Sequence, residues 1–202
     1  MADESRNREL KEISFDDFST KAGQIPAYDF FGDGSFYLLS TPGHAVGHIG
    51  GIARTSSNPD TFIFMGADLC HSPAVMRPTS HLPYPPMFSL PDRIKAELSF
   101  CPGDYPHALE ALSKKLGRDP KEPLLVPNAF VDFDKSMETV KRAQEGDAQD
   151  NIWFVFAHDS SLQGVVKTFP EGANDWKAKG WKEDTMWKFI KDLAPATEKS
   201  NE

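Results

Sequence analysis

Three apolar runs of strand length, each followed by a loop bearing a histidine or an aspartate, limit this chain more than any other feature. The first, Phe36-Tyr37-Leu38-Leu39, leads into Ser40-Thr41-Pro42-Gly43-His44-Ala45-Val46-Gly47-His48. Pro42-Gly43 breaks the chain sharply, so His44 is predicted on a tight loop between this run and the next, Ile49 to Ala53. His44 and His48 have the spacing of one helix face. Pro42, Gly43 and Gly47 argue instead for a loop that aims the two imidazoles differently. Thr61-Phe62-Ile63-Phe64-Met65 ends in Gly66-Ala67-Asp68, and Asn151-Ile152-Trp153-Phe154-Val155-Phe156 ends in Ala157-His158-Asp159. Loops on a rigid sheet are where reactive side chains are commonly held. Imidazole and carboxylate are also the ligand types zinc accepts, with an open position left for water in catalytic sites. His44, Asp68 and His158 are therefore the candidate metal ligands.

Those residues carry a family resemblance. Thr41-Pro42-Gly43-His44-Ala45-Val46-Gly47-His48 is similar to the TPGHxxGH loop of metallo-β-lactamase-fold hydrolases, the superfamily of glyoxalase II and the acyl-homoserine lactonases. Gly66-Ala67-Asp68 resembles the loop whose aspartate bridges two metals, and Ala157-His158-Asp159 resembles the late strand end with the last histidine ligand. The match covers roughly residues 30 to 160 and corresponds to the C-terminal two-thirds of such a protein. It implies an α+β fold, a metallo-β-lactamase-like αββα sandwich, with two zinc ions and Asp68 as the catalytic residue they share. It also implies hydrolysis of a small-molecule lactone, ester or thioester, with the lactonases as the nearest branch. The family's HxHxDH motif should precede this loop, yet residues 1 to 43 contain no histidine. Of the seven ligands the family uses, this chain carries counterparts of three: His44, Asp68 and His158. The fold is thus expected to be N-terminally incomplete, with two protein contacts per metal position. The rival expectation is a truncated, non-catalytic homologue: a pseudoenzyme, a binding scaffold or an incomplete gene model.

The neighbouring residues are assigned lesser roles. His48 reads as a support or core residue, because Gly47 and Gly50 suggest close packing. Cys70 and His71 directly follow the Asp68 loop and could stand in for missing ligands; a buried cysteine and a pocket-lining histidine is the ordinary reading. Asp159 could orient His158 or start the next turn. His81 and His107 are expected at the surface. No GxSxG, P-loop or GxGxxG occurs, so serine-hydrolase and nucleotide chemistry have no support.

Composition limits the remaining classes. In 202 residues, 39% hydrophobic content with 15 Phe suffices for one domain with a core. A net charge of -8 argues against nucleic acid or an anionic membrane as partner. No apolar run approaches the roughly 20 residues needed to span a bilayer. The polar start and the two cysteines, Cys70 and Cys101, suggest a reducing cytoplasm. Residues 1–24 read as a polar N-terminal extension and 25–202 as the domain.

Prolines 73, 78, 83, 85, 86, 91, 102 and 106 exclude continuous helix or central strand there and suggest an ordered loop packed beside the site. Helices are expected over Tyr105 to Leu116, with Leu109, Leu112 and Leu116 on one face, and from an N-cap at Asp134 to about Gly146. A third is expected over Trp181 to Leu193, with Lys182, Lys188 and Lys191 outward. A sheet lacking its partner layer should expose apolar surface, so self-association is expected.

Overall fold

The apolar runs do become strands, and two further strands precede them. The computed structural model describes residues 11–88 and 105–193. Its elements are β1 (Thr20–Ala22), β2 (Ile25–Asp29), β3 (Phe36–Ser40), β4 (Ile49–Ser56) and β5 (Thr61–Met65), then α1 (Tyr105–Lys115), α2 (Phe133–Asp147), β6 (Ile152–Val155) and α3 (Trp181–Met186). They form one mixed sheet in the order β1-β2-β3-β4-β5-β6, an α+β arrangement. Neighbouring strands are antiparallel except β5 and β6, which run parallel. Parallel pairing needs a crossover, and here it contains α1 and α2. The sheet begins inside the stretch read as a polar extension, since Thr20 pairs with Ala27.

Strand alternation sorts the side chains onto two faces. Ile25, Ala27, Leu39, Ile52, Phe64 and Phe154 point to one face and are buried there against Val140 and Ala143 of α2. Phe64 and Phe154 lie opposite one another in the β5–β6 register and stack at 4.1 Å between ring centroids. On the other face, Ile63, Trp153 and Val155 are covered by Trp176 and Trp181. Toward β3 and β4 that cover ends. Phe31 is 66% exposed with Phe30 against it, and Ile49 and Met65 are exposed further along the strands.

The described part of the proline-rich segment is ordered as expected. Ser72 caps a short turn over Pro73–Val75, and Ala74, Met76 and Phe88 are buried. Residues 89–104, with Pro91, Cys101 and Pro102, lie outside the described residues.

The helices depart from expectation in three places. Leu109 and Leu112 of α1 are buried, but Leu116 is exposed beyond the helix end. The N-cap of α2 is Asp132, which accepts from the Lys135 amide at 3.0 Å, so Asp134 sits in the first turn. The C-terminal stretch is not one amphipathic helix: α3 ends at Met186 and a 3-10 turn follows over Lys188–Leu193. Lys182 and Lys188, expected outward, are buried. Their ammonium groups reach backbone carbonyls at the ends of elements and in turns. Lys182 Nζ donates to the carbonyls of Asp147 (2.9 Å), Ile152 (2.6 Å) and Gln149. Lys188 Nζ donates to those of Ser161 (3.1 Å) and Gln163 (2.5 Å). Burial pulls the Lys182 pKa down to about 8, with Asp147 pulling the other way, so the group keeps three protons for three carbonyls at neutral pH.

Candidate metal centre

The centre is assembled at one end of the sheet, where β3, β5 and β6 deliver their loops. Gly43 adopts φ +132, and a Cβ there would collide with the backbone of Ser136. The first turns of α2 can therefore lie directly on the His44 loop. The residues before α2 fasten it: Val131 and Asp132 amides donate to the Gly43 carbonyl, each at 3.0 Å, and the Thr139 hydroxyl donates to that of Pro42 at 2.7 Å. His44 Nδ1 lies 3.0 Å from the Ala129 carbonyl. That acceptor requires the proton on Nδ1, which leaves Nε2 with its lone pair for a ligand.

His48 has both ring nitrogens engaged. Nδ1 donates to the Thr41 carbonyl at 2.8 Å, and Nε2 accepts from the Asp68 amide at 3.2 Å. It ties the first loop to the second and has no nitrogen left for an ion.

Asp68 sits in a 3-10 turn over Ala67–Leu69. Beyond the paired strands, the Gly66 amide donates to Val155 and the Ala157 amide to the Ala67 carbonyl, both at 2.9 Å, so the parallel pairing continues to the site. Ala67 (φ 47) and His158 (φ 64) both adopt left-handed backbone conformations. Non-glycine residues pay an energetic penalty there, and such outliers concentrate at functional sites.

These turns bring four side chains together. Ligand atoms of His44, Asp68 and His71 lie within 4.8 Å of one another. Asp68 Oδ1 is 3.5 Å from His71 Nε2 and 3.3 Å from His158 Nε2. The His71 ring stands 5.1 Å from that of His44 and 5.2 Å from that of His158, centroid to centroid. Burial first, and then the neighbouring His44, hold His71 below the ordinary imidazole pKa, which favours the neutral form that can donate a lone pair. His158 is the most exposed of the four, with 66% of its side chain open to solvent.

Cys70 and Asp159 fall outside this group. Cys70 is buried in the main core, and burial pushes its thiol well above the usual range, so it supplies no thiolate. Asp159 starts the next turn, accepting from the Ser161 amide at 2.8 Å, and burial raises its carboxyl pKa. The Ala129 carbonyl, which fixes His44, had no signal in the sequence, being a backbone group remote from every motif. His81 and His107 are exposed.

The chain is similar to proteins of known name. The metallo-hydrolase mfmC of Annulohypoxylon moriforme is 43% identical over 191 residues, 94% of this chain and 48% of that protein. The gamma-lactamase FDB1 of Fusarium pseudograminearum (strain CS3096) is 39% identical over 198 residues, 96% of this chain and 46% of that protein. The cytochrome P450 monooxygenase mpaDE of Penicillium roqueforti (strain FM164) is 40% identical over 197 residues, which are 96% of this chain but 20% of that protein. The chain thus spans about half the length of the first two relatives and a fifth of the third. No family model matches it, and no solved structure matches it significantly. Relatives named metallo-hydrolase and gamma-lactamase align along nearly all of its residues, and the chain resembles a C-terminal part of the metallo-β-lactamase-fold hydrolases.

Proposed function

We propose that this chain carries a metal-binding part of a zinc-dependent hydrolase, and that its sheet is one of the two sheets of an αββα sandwich. The observation that carries the reading is the convergence of His44, Asp68 and His71 within 4.8 Å. Around tetrahedral zinc, neighbouring ligand atoms stand about 3.3 Å apart. The group therefore fits an ion after closing by at most about 1.5 Å between ligand atoms, a matter of small side-chain rotations. Two imidazoles and one carboxylate suit zinc better than calcium or magnesium, which favour oxygen ligands. Three protein ligands and one open position is the pattern of catalytic zinc.

His71 thereby supplies the third contact that the family pattern alone did not offer. His158, at 3.3 Å from Asp68, is the further donor, and Asp68 is the residue common to both arrangements. When bound, the metal lowers the pKa of a water and polarises a carbonyl. The chain's own part is positional: Ala129 fixes the His44 tautomer, and His48 anchors the Asp68 backbone. For the substrate we take a small molecule with a hydrolysable carbonyl. The resemblance suggests a lactone, ester or thioester, and the relatives named gamma-lactamase add a cyclic amide.

The second reading is a non-catalytic homologue. In it the same residues bind zinc without hydrolysing a substrate. Calorimetric titration with zinc tests both. The expected result is one zinc per chain, with His71→Ala weakening binding more than about ten-fold, the scale of a lost supporting partner or greater. Zinc-dependent opening of a γ-lactam or γ-lactone favours the enzyme, and stoichiometric zinc without hydrolysis favours the second reading. Absence of zinc binding would remove the metal site from both.

We further propose that two copies associate through the face bearing Phe30, Phe31, Ile49 and Met65, whose apolar side chains are exposed. Sedimentation velocity should show a dimer at high concentration, shifted to monomer by Phe31→Ser with Ile49→Thr. A parent protein that stays monomeric across the concentration range would reject this.

A further inference from the structure

A cavity of about 480 Å³ opens between the sheet and the C-terminal half of α2. It lies away from the metal centre. Helix α2 begins against Gly43, in the His44 loop, and the cavity is lined by its later residues, Arg142 to Gly146. At about 1.5 Å per residue, these two points are on the order of 10 Å apart along the helix.

The volume is that of small-molecule sites, which run roughly 300–1,000 Å³. The floor is ring-rich: Tyr37, Phe62, Phe64 and Phe154, with Ile25 and Ile52 beside them. Gly146 keeps the α2 side low, since a Cβ there would already stand 3.2 Å from the Phe154 ring. The mouth carries Lys21, Arg54 and Arg142 against Asp60 and Glu145. Several of these charges are engaged. Glu145 accepts from the Gln24 amide at 2.7 Å, and Arg142 donates to Glu138 at 2.5 Å. Lys21 has no carboxylate partner among the described residues.

We propose that this cavity is a second small-molecule site, taking a ring-bearing carboxylic acid. The rings stack on the phenylalanine floor, and the carboxylate meets Lys21 at the mouth. The inference is independent of the metal centre.

Titration of the full chain with 2-naphthoate, followed calorimetrically, tests it. Saturable binding is expected. Lys21→Glu should weaken it about five-fold, the scale of one exposed ion pair reversed. Gln149→Trp, at an exposed mouth position chosen to spare the fold, should weaken it at least about ten-fold by closing the entrance, and Ala143→Phe should abolish it by filling the interior. His44→Ala should leave affinity unchanged. Equal affinity for 2-naphthylmethylamine would overturn the acid class. Absence of binding, or binding insensitive to Gln149→Trp and Ala143→Phe but lost with His44→Ala, would overturn the site.

Discussion

Arg77→Met is expected to cost about 3–5 kcal/mol of folding stability, a large share of the roughly 5–15 kcal/mol that holds a domain together. Arg77 and Asp147 are 4% and 1% exposed and meet as a fork. Nε donates to one carboxylate oxygen and Nη2 to the other, each at 2.6 Å, while Nη1 donates to the Met186 carbonyl at 2.7 Å. Burial alone would lower the guanidinium pKa, yet the carboxylate beside it raises it above the usual value. Met fills a similar volume but leaves a buried carboxylate without its bidentate partner, so the loss is the cost of an orphaned charge. The pair's net worth against an apolar core is a separate and smaller quantity. Arg77→Met with Asp147→Leu should therefore recover most of the stability. Urea midpoints at an unchanged m-value measure both variants. A single variant within about 1 kcal/mol of the parent would show that water reaches Asp147.

Asp68→Asn should reduce zinc affinity by more than about 100-fold, since even partners one step removed from a metal are worth about 10–100-fold. Asp68 is the one carboxylate in the cluster, and its oxygen faces both His71 and His158. The amide is nearly isosteric, and the backbone bond to His48 does not involve the side chain. The fold should therefore survive, which separates lost ligation from unfolding. Competition against a chromogenic chelator gives the affinity, and an unchanged urea midpoint of the metal-free variant gives the control. Retained affinity would mean that the imidazoles alone hold the ion.

How far the sequence disclosed this arrangement depends on the kind of signal each residue left. Strands β3 to β6 were legible because their apolar runs are bounded by turn residues. β2 left a signal only at its end, where Phe30-Phe31-Gly32-Asp33-Gly34 reads as a strand end and a turn; its body was hidden because Pro26 reads as a breaker, though a strand pairing through its other groups accommodates it. β1, three residues long, has no period to detect. Lys182 and Lys188 were misplaced because binary patterning counts every lysine as solvated, while an ammonium that completes a set of carbonyls follows no periodicity. At the metal centre the motif loops were visible. The place of His71 beside His44 depends on the turn at Ala67–Leu69, whose left-handed start at an alanine no propensity predicts.

The parallel pairing of β5 with β6 also bears on the order in which the molecule forms. β1 to β5 are a meander of local hairpins, whereas β6 returns only after the long crossover through α1 and α2. Closing so long a loop is entropically costly and is compensated only once distant contacts are made, which makes β6 a late arrival in folding. His158 reaches Asp68 only when that strand is in register. An ion that engages both residues would favour the docked strand over the undocked one by its difference in affinity for the two. The centre would then act as a clasp on the last strand, and amide exchange in β6 would slow with metal concentration while β3 and β4 stayed as they were.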